Sequence, residues 1–531
     1  MRRDQIKSGR LLVVYDNSTN FVPTITEYLD SISRYSDWDV HYIHATHGAE
    51  IAFDLNDYDA IFQSYCATYS EHIADKAIDW HLSHDYIAKR KAFRGVKVLA
   101  VQDEYQYTNG IHQLIRENGF HIVLTNVPDA MLERIYPRHM FPNTEFIRVL
   151  TGYVPEHLAE RGKNLRRLRD RPIHVGYRGR DIGGLYGRLA FDKLEIGRRM
   201  REICIQRGIP HDIEWSEDKR LYGDAWYDFI GSCRVNLGSE SGSNVFDFDG
   251  AIAAKYTELA TARGGPVPYD EFRVHTDPIE HHYEMGQISP RAFEAAALRT
   301  PMILFSGSYG GLIEPEAHYI ELKKDFSNVD AVLARLGDLE GLERLADRAY
   351  DRMVGSGEFS YHRFVELIDA SLFRKAAELG LKLRPPGDHA GGAAAIPGFA
   401  ALTALRESPT KAPLHPVFFR YKIVARLQTE IGRLREEIDR QQAEFGQQQA
   451  EFGQQQQEFA RVSASHAAES AQLRSLYATE TNLLRTEIHH LRHVVEEYRS
   501  RLYWLRMLYR MYKMGAANVI NFFRPVVGRH R

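Results

Sequence analysis

Short apolar runs separated by helix-length patterns organise most of the chain. Leu11–Tyr15 reads LLVVY and runs into Asp16-Asn17-Ser18, the pattern of a buried strand leading to a turn and a helix start. Similar runs recur at Trp38–Ile43, Ala60–Gln63, Val96–Gln102 and His121–Thr125, with helical patterns at Ser70–Phe93 and Asn109–Asn118. Strands alternating with helices predict a parallel sheet covered on both faces. The alternation restarts at Ile173–Tyr177 (IHVGY). A helix over Leu189–Arg207, a strand at Arg234–Leu237, a helix at Pro290–Leu298 and a strand at Met302–Phe305 continue it. Residues 1–160 and 161–383 are therefore read as two α/β domains in series. Ligands of such sheets sit beyond the carboxyl ends of the strands, so the site is expected in the cleft between the domains.

The pattern then changes twice. Residues 384–416 are rich in Pro, Gly and Ala and lack periodicity, which reads as a linker. Over residues 417–513, Val424, Leu427, Ile431, Leu434 and Ile438 alternate spacings of three and four, the seam of a coiled coil. The unit QQAEFGQ repeats at Gln441–Gln447 and Gln448–Gln454 and sets Phe445, Phe452 and Phe459 one heptad apart. Gly446 and Gly453 each weaken a helix by about 1 kcal/mol relative to Ala, making a soft joint. The seam resumes with Leu484, Ile488, Leu491, Val495, Tyr498, Leu502 and Leu505, and predicts a homo-oligomer. Beyond Ser500 there is no acidic residue. Arg501, Arg506, Arg510, Lys513, Arg524, Arg529 and Arg531 interleave with Tyr503, Trp504, Tyr509, Tyr512, Phe522 and Phe523. This segment, which includes the basic tail at residues 514–531, suits either an anionic membrane surface or burial of its aromatics against a partner.

Composition narrows the classes. A formal net charge of −3 gives no global field for nucleic acid. The cysteines are Cys66, Cys204 and Cys233, with no CxxC spacing, which points to a reducing compartment without structural zinc. Met1–Arg10 lacks the apolar run of a secretion signal, and no stretch reaches the ~20 apolar residues of a spanning helix. The expected location is cytoplasmic, with peripheral contact at the inner membrane if the tail binds it.

Candidate chemistry lies in the second domain. The turn Gly176-Tyr177-Arg178-Gly179-Arg180-Asp181-Ile182-Gly183-Gly184 offers close backbone approach and fixed positive charge to an anion. Its bland reading is a glycine-rich surface loop with solvated arginines. Ser289-Pro290-Arg291 starts a helix with a capping residue and proline in the first turn, so its N-terminus can hold a pyrophosphate. Glu294, one turn in among Phe and Ala, is placed to bind the hydroxyls of a ribose. Asp247-Phe248-Asp249 has the spacing of a metal-binding carboxylate pair, but Asp249-Gly250 is also ordinary turn chemistry. No metal is expected.

These segments resemble a family. FEAAALRTPMILF is similar to the "EA…G-TP-V" segment of glycosyltransferases with the two-Rossmann (GT-B) fold. The longer run ISPRAFEAAALRTPMILFSGSYGGLIEPEAHYIELKKDFSN, with VGYRGRDIGGLYG and LGSESGSNVFDFDG, resembles their bacterial branch related to spore-maturation-type glycosyltransferases. The likeness covers Arg171–Ser371 well and Leu11–Pro155 more loosely, and the tail lies outside it.

The resemblance implies two Rossmann-like domains, the first for the acceptor and the second for the nucleotide-sugar donor, and transfer without a metal cofactor. Retaining members use a Glu-x7-Glu pair. Glu294 matches the second Glu, the first position here is Gly286, and Glu240 or Glu284 is left to replace it. The phosphate-gripping Arg-Lys pair falls on Arg178 with Arg180 or Lys193. Asp103 and Glu104, after the Val96–Gln102 strand, are candidates for the base that an inverting enzyme needs at the acceptor hydroxyl; His112 is a weaker one, and His318 faces the cleft from the donor side. The expected role is building a bacterial surface polysaccharide on a glycan or lipid-linked acceptor. The competing functions are a sugar-nucleotide-binding scaffold with weakened catalysis and a sugar-nucleotide epimerase of the same fold.

Overall fold

The computed structural model describes residues 8–15, 23–45, 51–72, 82–216, 219–263, 266–385, 396–397 and 469–514. The chain divides into two compact units, Met1–Pro409 and Thr410–Arg531.

The first unit holds two sheets. In the first, β1 (Arg10–Tyr15), β2 (Asp39–His44), β3 (Ala60–Gln63), β4 (Val96–Ala100), β5 (Ile122–Thr125) and β6 (Glu145–Arg148) pair in parallel in the order β2-β1-β3-β4-β5-β6. Ile396–Pro397 adds a short antiparallel strand beside β2. In the second, β7 (Ile173–Arg178), β8 (His211–Glu214), β9 (Cys233–Gly238), β10 (Met302–Phe305) and β11 (Ile320–Leu322) are all parallel, in the order β11-β10-β9-β7-β8. The fold is thus two Rossmann-like α/β domains. Strand order reverses between β1 and β3 in one sheet and between β7 and β9 in the other, and a crevice opens at such a switch point.

The inner strands are continuous apolar runs because helices cover both faces; Leu11, Leu12, Val13 and Val14 are fully buried. Strands β6, β8 and β11 carry weaker apolar signals (EFIR, HDIE and IEL), and the sequence pattern missed all three. The helix expected over Ser70–Phe93 is not continuous. Ser83 accepts a hydrogen bond from the Tyr86 backbone N–H at 3.3 Å, and this cap starts a new helix, His84–Ala92.

Among the segments that tie the domains together, two are extensive. Helix Tyr361–Glu378, expected with the second domain, packs on the first. There Asp369 accepts from the Ser36 hydroxyl (2.8 Å) and the Asp37 backbone (2.7 Å), and Phe373 stacks on Trp38 with centroids 5.0 Å apart. The crossover from β9 to β10 contains an insertion with helices Ala251–Arg263 and Tyr269–Glu280. Its leading segment reaches the first domain. The Asp247 backbone donates to Tyr105 O (2.9 Å), while Thr108 and Asn109 donate to Asp247 O (3.2 Å) and Phe248 O (2.9 Å). Phe246 and Met285 bury in the first domain's core beside Leu99, Ile111 and Val123.

In the second unit, Glu469–Met514 is a single helix of 46 residues. Leu484, Ile488, Leu491 and Val495 are half-buried on it, at the spacing of the expected seam. The seam over Val424–Ile438, the QQAEFGQ repeats and the basic end after Met514 lie outside the described residues, as do the aromatic and basic side chains from Tyr503 to Lys513. No described helix is long and apolar enough to cross a membrane.

Candidate functional site

A cavity of about 300 Å³ opens at the β7/β9 switch point. The loop after β7 contributes Gly179, Arg180 and Ile182, and helix Gly187–Arg207 contributes Lys193. The end of β9 supplies Asn236, Gly238, Ser239 and Ser241. Helix Pro290–Ala297 presents Ser289, Arg291, Ala292 and Ala295, and Arg220 closes one side. Among the described lining residues Arg180, Lys193, Arg220 and Arg291 are cations and none is a carboxylate. Ser289 occupies the N-cap position without a side-chain cap bond, and its carbonyl accepts from Ala292 N (2.9 Å), so the positive end of this helix borders the cavity.

Burial, and the neighbouring Arg291 charge, depress the Lys193 ammonium to about 8, with Asp103 opposing. Its Nζ donates to Ser241 Oγ at 3.4 Å. Arg291 is positioned from two sides: Nη1 donates to the Arg178 carbonyl, and its guanidinium lies 5.3 Å from the centre of the Trp226 ring. Arg180, Lys193, Ser289 and Arg291 from the sequence therefore meet in one place.

Other residues take different roles. Arg178 points away from the cavity. Its guanidinium binds Asp212 at 2.8 Å and lies 4.2 Å over the Phe229 ring, so it anchors β7 to β8. Gly176 serves packing, not ligand approach, because a Cβ there would run into Cys233 Sγ. Glu294 is 8% exposed and does not line the cavity; it accepts from Trp226 Nε1 at 2.8 Å. Burial raises its carboxyl above the usual range. It influences Glu27 of the first domain, which burial first and Glu294 second push up to about 8. Glu294 lies one turn beyond Arg291, to one side of Ala292 and Ala295, and its carboxylate is held by Trp226 and not by a lining residue.

Glu240 stands in sequence between the lining residues Ser239 and Ser241. Oε1 accepts from Ser308 N (2.7 Å), Ser308 Oγ (3.1 Å) and Tyr309 N (3.1 Å). A Cβ added to Gly286 would stand 2.7 Å from that oxygen. The carboxylate of Glu240 thus occupies the space into which a side chain at 286 would project. Glu284 is exposed.

In the first domain, Asp103 sits in the left-handed region at φ 63°, an uncommon state for a residue with a Cβ. Tyr105 donates to it at 2.7 Å, burial raises its carboxyl, and Lys193 across the cleft pulls it down. Glu104 is 0% exposed, turned inward onto Thr125 Oγ1 and Asn126 N (2.9 Å), and pushed to about 7 by burial. It cannot reach an acceptor. His112 is also core, bonded to the Ile135 carbonyl at 2.8 Å and ringed by Tyr136, Phe141 and Phe248. His318 does not line the cavity; its Nδ1 accepts from Glu314 N at 2.9 Å, and its charged neighbours are Glu314, Arg348 and Arg352. The Asp247 carboxylate caps helix Ala251–Arg263, accepting from Ile252 N (3.2 Å) and Ala253 N (2.9 Å), while Asp249 accepts from Ala251 N (3.1 Å). That geometry is a helix start. Among the described residues no cluster of acidic, His or Cys side chains is arranged to hold a metal.

Sequence reasoning missed Arg220 and Asn236. Arg220 stands in an exposed polar loop with nothing to mark it. Asn236, at 4% exposure, is a single amide inside an apolar strand, and its Nδ2 has no hydrogen-bond partner. A buried orphan donor costs about 1–3 kcal/mol, so this one calls for a reason.

No protein-family model matches the chain, and no curated protein matches it in sequence. Solved structures with a similar chain path include sucrose-phosphate synthase from Thermosynechococcus elongatus, 11% identical over 70% of this chain and 99% of that one at a TM-score of 0.39. An alpha-glucosyltransferase in complex with UDP and a 13-mer DNA is 9% identical over 69% of this chain and 100% of that one, at 0.41. Anabaena HepE in complex with UDP-glucose is 10% identical over 70% and 100%, at 0.36. Likenesses this distant carry no weight for activity, so function has to be read from the site itself.

Proposed function

We propose that the chain is a glycosyltransferase whose second domain holds a nucleotide-sugar donor. The observation that carries this reading is the cavity at the β7/β9 switch point, lined by four cations and bordered by a helix N-terminus. A diphosphate is the ligand such a lining fits, because fixed guanidinium and ammonium groups and the positive end of a helix stabilise its charge. Arg180, Lys193, Arg220 and Arg291 stabilise the departing diphosphate as the glycosidic bond to the sugar breaks, so no divalent metal is required. Glu240 accepts hydroxyls of the donor sugar. Asp103, raised by burial and facing Lys193, takes the proton from the acceptor hydroxyl. Lys193 then serves both partners, holding phosphate and steadying Asp103.

The wider role follows from the tail. The chain works as an oligomer through its coiled coil and builds a surface glycan on a glycan or lipid-linked acceptor, with the basic aromatic end held at the inner membrane surface. The transferred sugar is a hexose.

Thermal shift with nucleoside diphosphates and nucleotide sugars, in excess chelator, tests the core of this reading. A ligand at 100 times its Kd stabilises the fold by about 2.7 kcal/mol, which a melting curve resolves. Stabilisation by a nucleoside diphosphate in chelator supports the site. No stabilisation by any of them, with chelator or with magnesium, overturns it.

A further inference from the structure

Asn236 lies where β9 passes beneath helix Pro290–Ala297. Pairing sets Gly176, Asn236 and Met302 side by side across β7, β9 and β10, with Gly238 and Leu304 forming the next row on β9 and β10. Ala292 and Ala295 of the helix join this row in lining the cavity. Gly238, Ala292, Ala295, Met302 and Leu304 offer no polar side-chain atom. In that apolar floor stands one amide, 4% exposed, whose Nδ2 donates to nothing in the protein. The cations come from elsewhere: the loop after β7, helix Gly187–Arg207, the segment at Arg220 and the first turn at Arg291. The cavity therefore combines cations from its loops and first helix turn with an apolar patch of floor that holds one unpaired amide donor.

We propose that Asn236 reads the nucleobase of the donor. The planar heterocycle lies in the apolar floor with its edge to Asn236, whose amide N–H donates to a ring carbonyl oxygen, and the cations take the diphosphate. The expected class is an oxo-base, one with a ring carbonyl oxygen: uracil, thymine, guanine or cytosine, and not adenine. A site built around a buried donor discriminates strongly, because a base without the matching acceptor leaves that donor unpaired inside the protein. This inference rests on the donor-site reading above and goes beyond it by assigning base selection to one residue.

Calorimetric titration of the full chain with UDP, TDP, GDP, CDP, ADP and inorganic pyrophosphate tests it, in parallel with Asn236→Ala and Asn236→Leu. Leucine has the same number and branching of side-chain heavy atoms as asparagine and removes the orphan donor, so this variant keeps the fold, as its melting curve checks. The expected result is that the parent prefers one oxo-base. Both variants then lose about tenfold or more for that diphosphate, the worth of one good hydrogen bond, while pyrophosphate affinity stays within about twofold. Equal losses for nucleotide and pyrophosphate overturn the inference and assign Asn236 to the phosphates. Unchanged affinities overturn it too, leaving the donor site intact. If the parent binds neither pyrophosphate nor any nucleotide, the donor-site reading and the inference fall together.

Discussion

Arg291→Ala isolates the electrostatics of the cavity. Arg291 lines it, is steadied by the Arg178 carbonyl and the Trp226 ring, and helps depress Lys193 to about 8. A charge-assisted hydrogen bond to phosphate contributes about 1.5–3 kcal/mol, so its loss weakens nucleoside diphosphate binding by roughly 10- to 150-fold. The second effect runs the other way. With Arg291 gone, Lys193 holds its proton to higher pH. In the parent the ammonium's contribution is present below about 8 and is lost as pH rises through it. At about pH 7 Lys193 is about nine-tenths charged in the parent and no less in the variant, so the full deficit appears. At about pH 9 the parent has lost most of its Lys193 charge and the variant has kept more, so the gap narrows. Titration calorimetry at the two pH values and constant ionic strength measures both effects. A deficit that is absent at neutral pH in a folded variant, or that fails to narrow at the higher pH, refutes the coupling of these two side chains through a shared anion site.

Three further outcomes follow from the packing. Phe246→Ala removes a buried ring that the second domain inserts into the first domain's core, which costs about 3–5 kcal/mol and separates the domains' melting transitions in calorimetry. One unchanged transition would show that residues 244–249 do not couple them. Arg90, 0% exposed, binds Glu71 through two 2.7 Å contacts and also bonds Gln63 and Asn118. Arg90→Met leaves the Glu71 carboxylate without its cation and costs about 3–5 kcal/mol by urea denaturation, with Glu71→Gln in the same background recovering part of it. Glu104 is raised to about 7 in the fold from the ordinary 4.5, so folding takes up a proton between those values. Its contribution is fully present below 4.5 and lost as pH rises through about 7. Stability of the parent therefore falls over that window more steeply than that of Glu104→Gln, and parallel pH profiles from denaturant melts would contradict it.

The amino-acid sequence by itself determined the layered α/β architecture, because strands buried on both faces must be apolar throughout, as in LLVVY and MILF. It also marked residues that meet at the cavity: Ser289-Pro290 starts a helix there, and Arg180 and Arg291 line it. Edge strands such as His211–Glu214 were illegible, since an edge needs little apolar content. The fate of individual polar side chains was decided only by tertiary structure. Arg178 and Arg180 stand two apart in one loop, yet one anchors on Asp212 and the other lines the cavity. Asp103 and Glu104 are adjacent, yet one faces the cleft and the other the core. Glu240 meets Gly286 from 46 positions away in sequence, and Asn236 becomes a lone donor only once helix Pro290–Ala297 covers its strand. Local pattern fixes which face of an element is apolar, through the periods of helix and strand. The partner that a polar group on that element meets is set by segments far away in sequence, and only the packed chain brings them together.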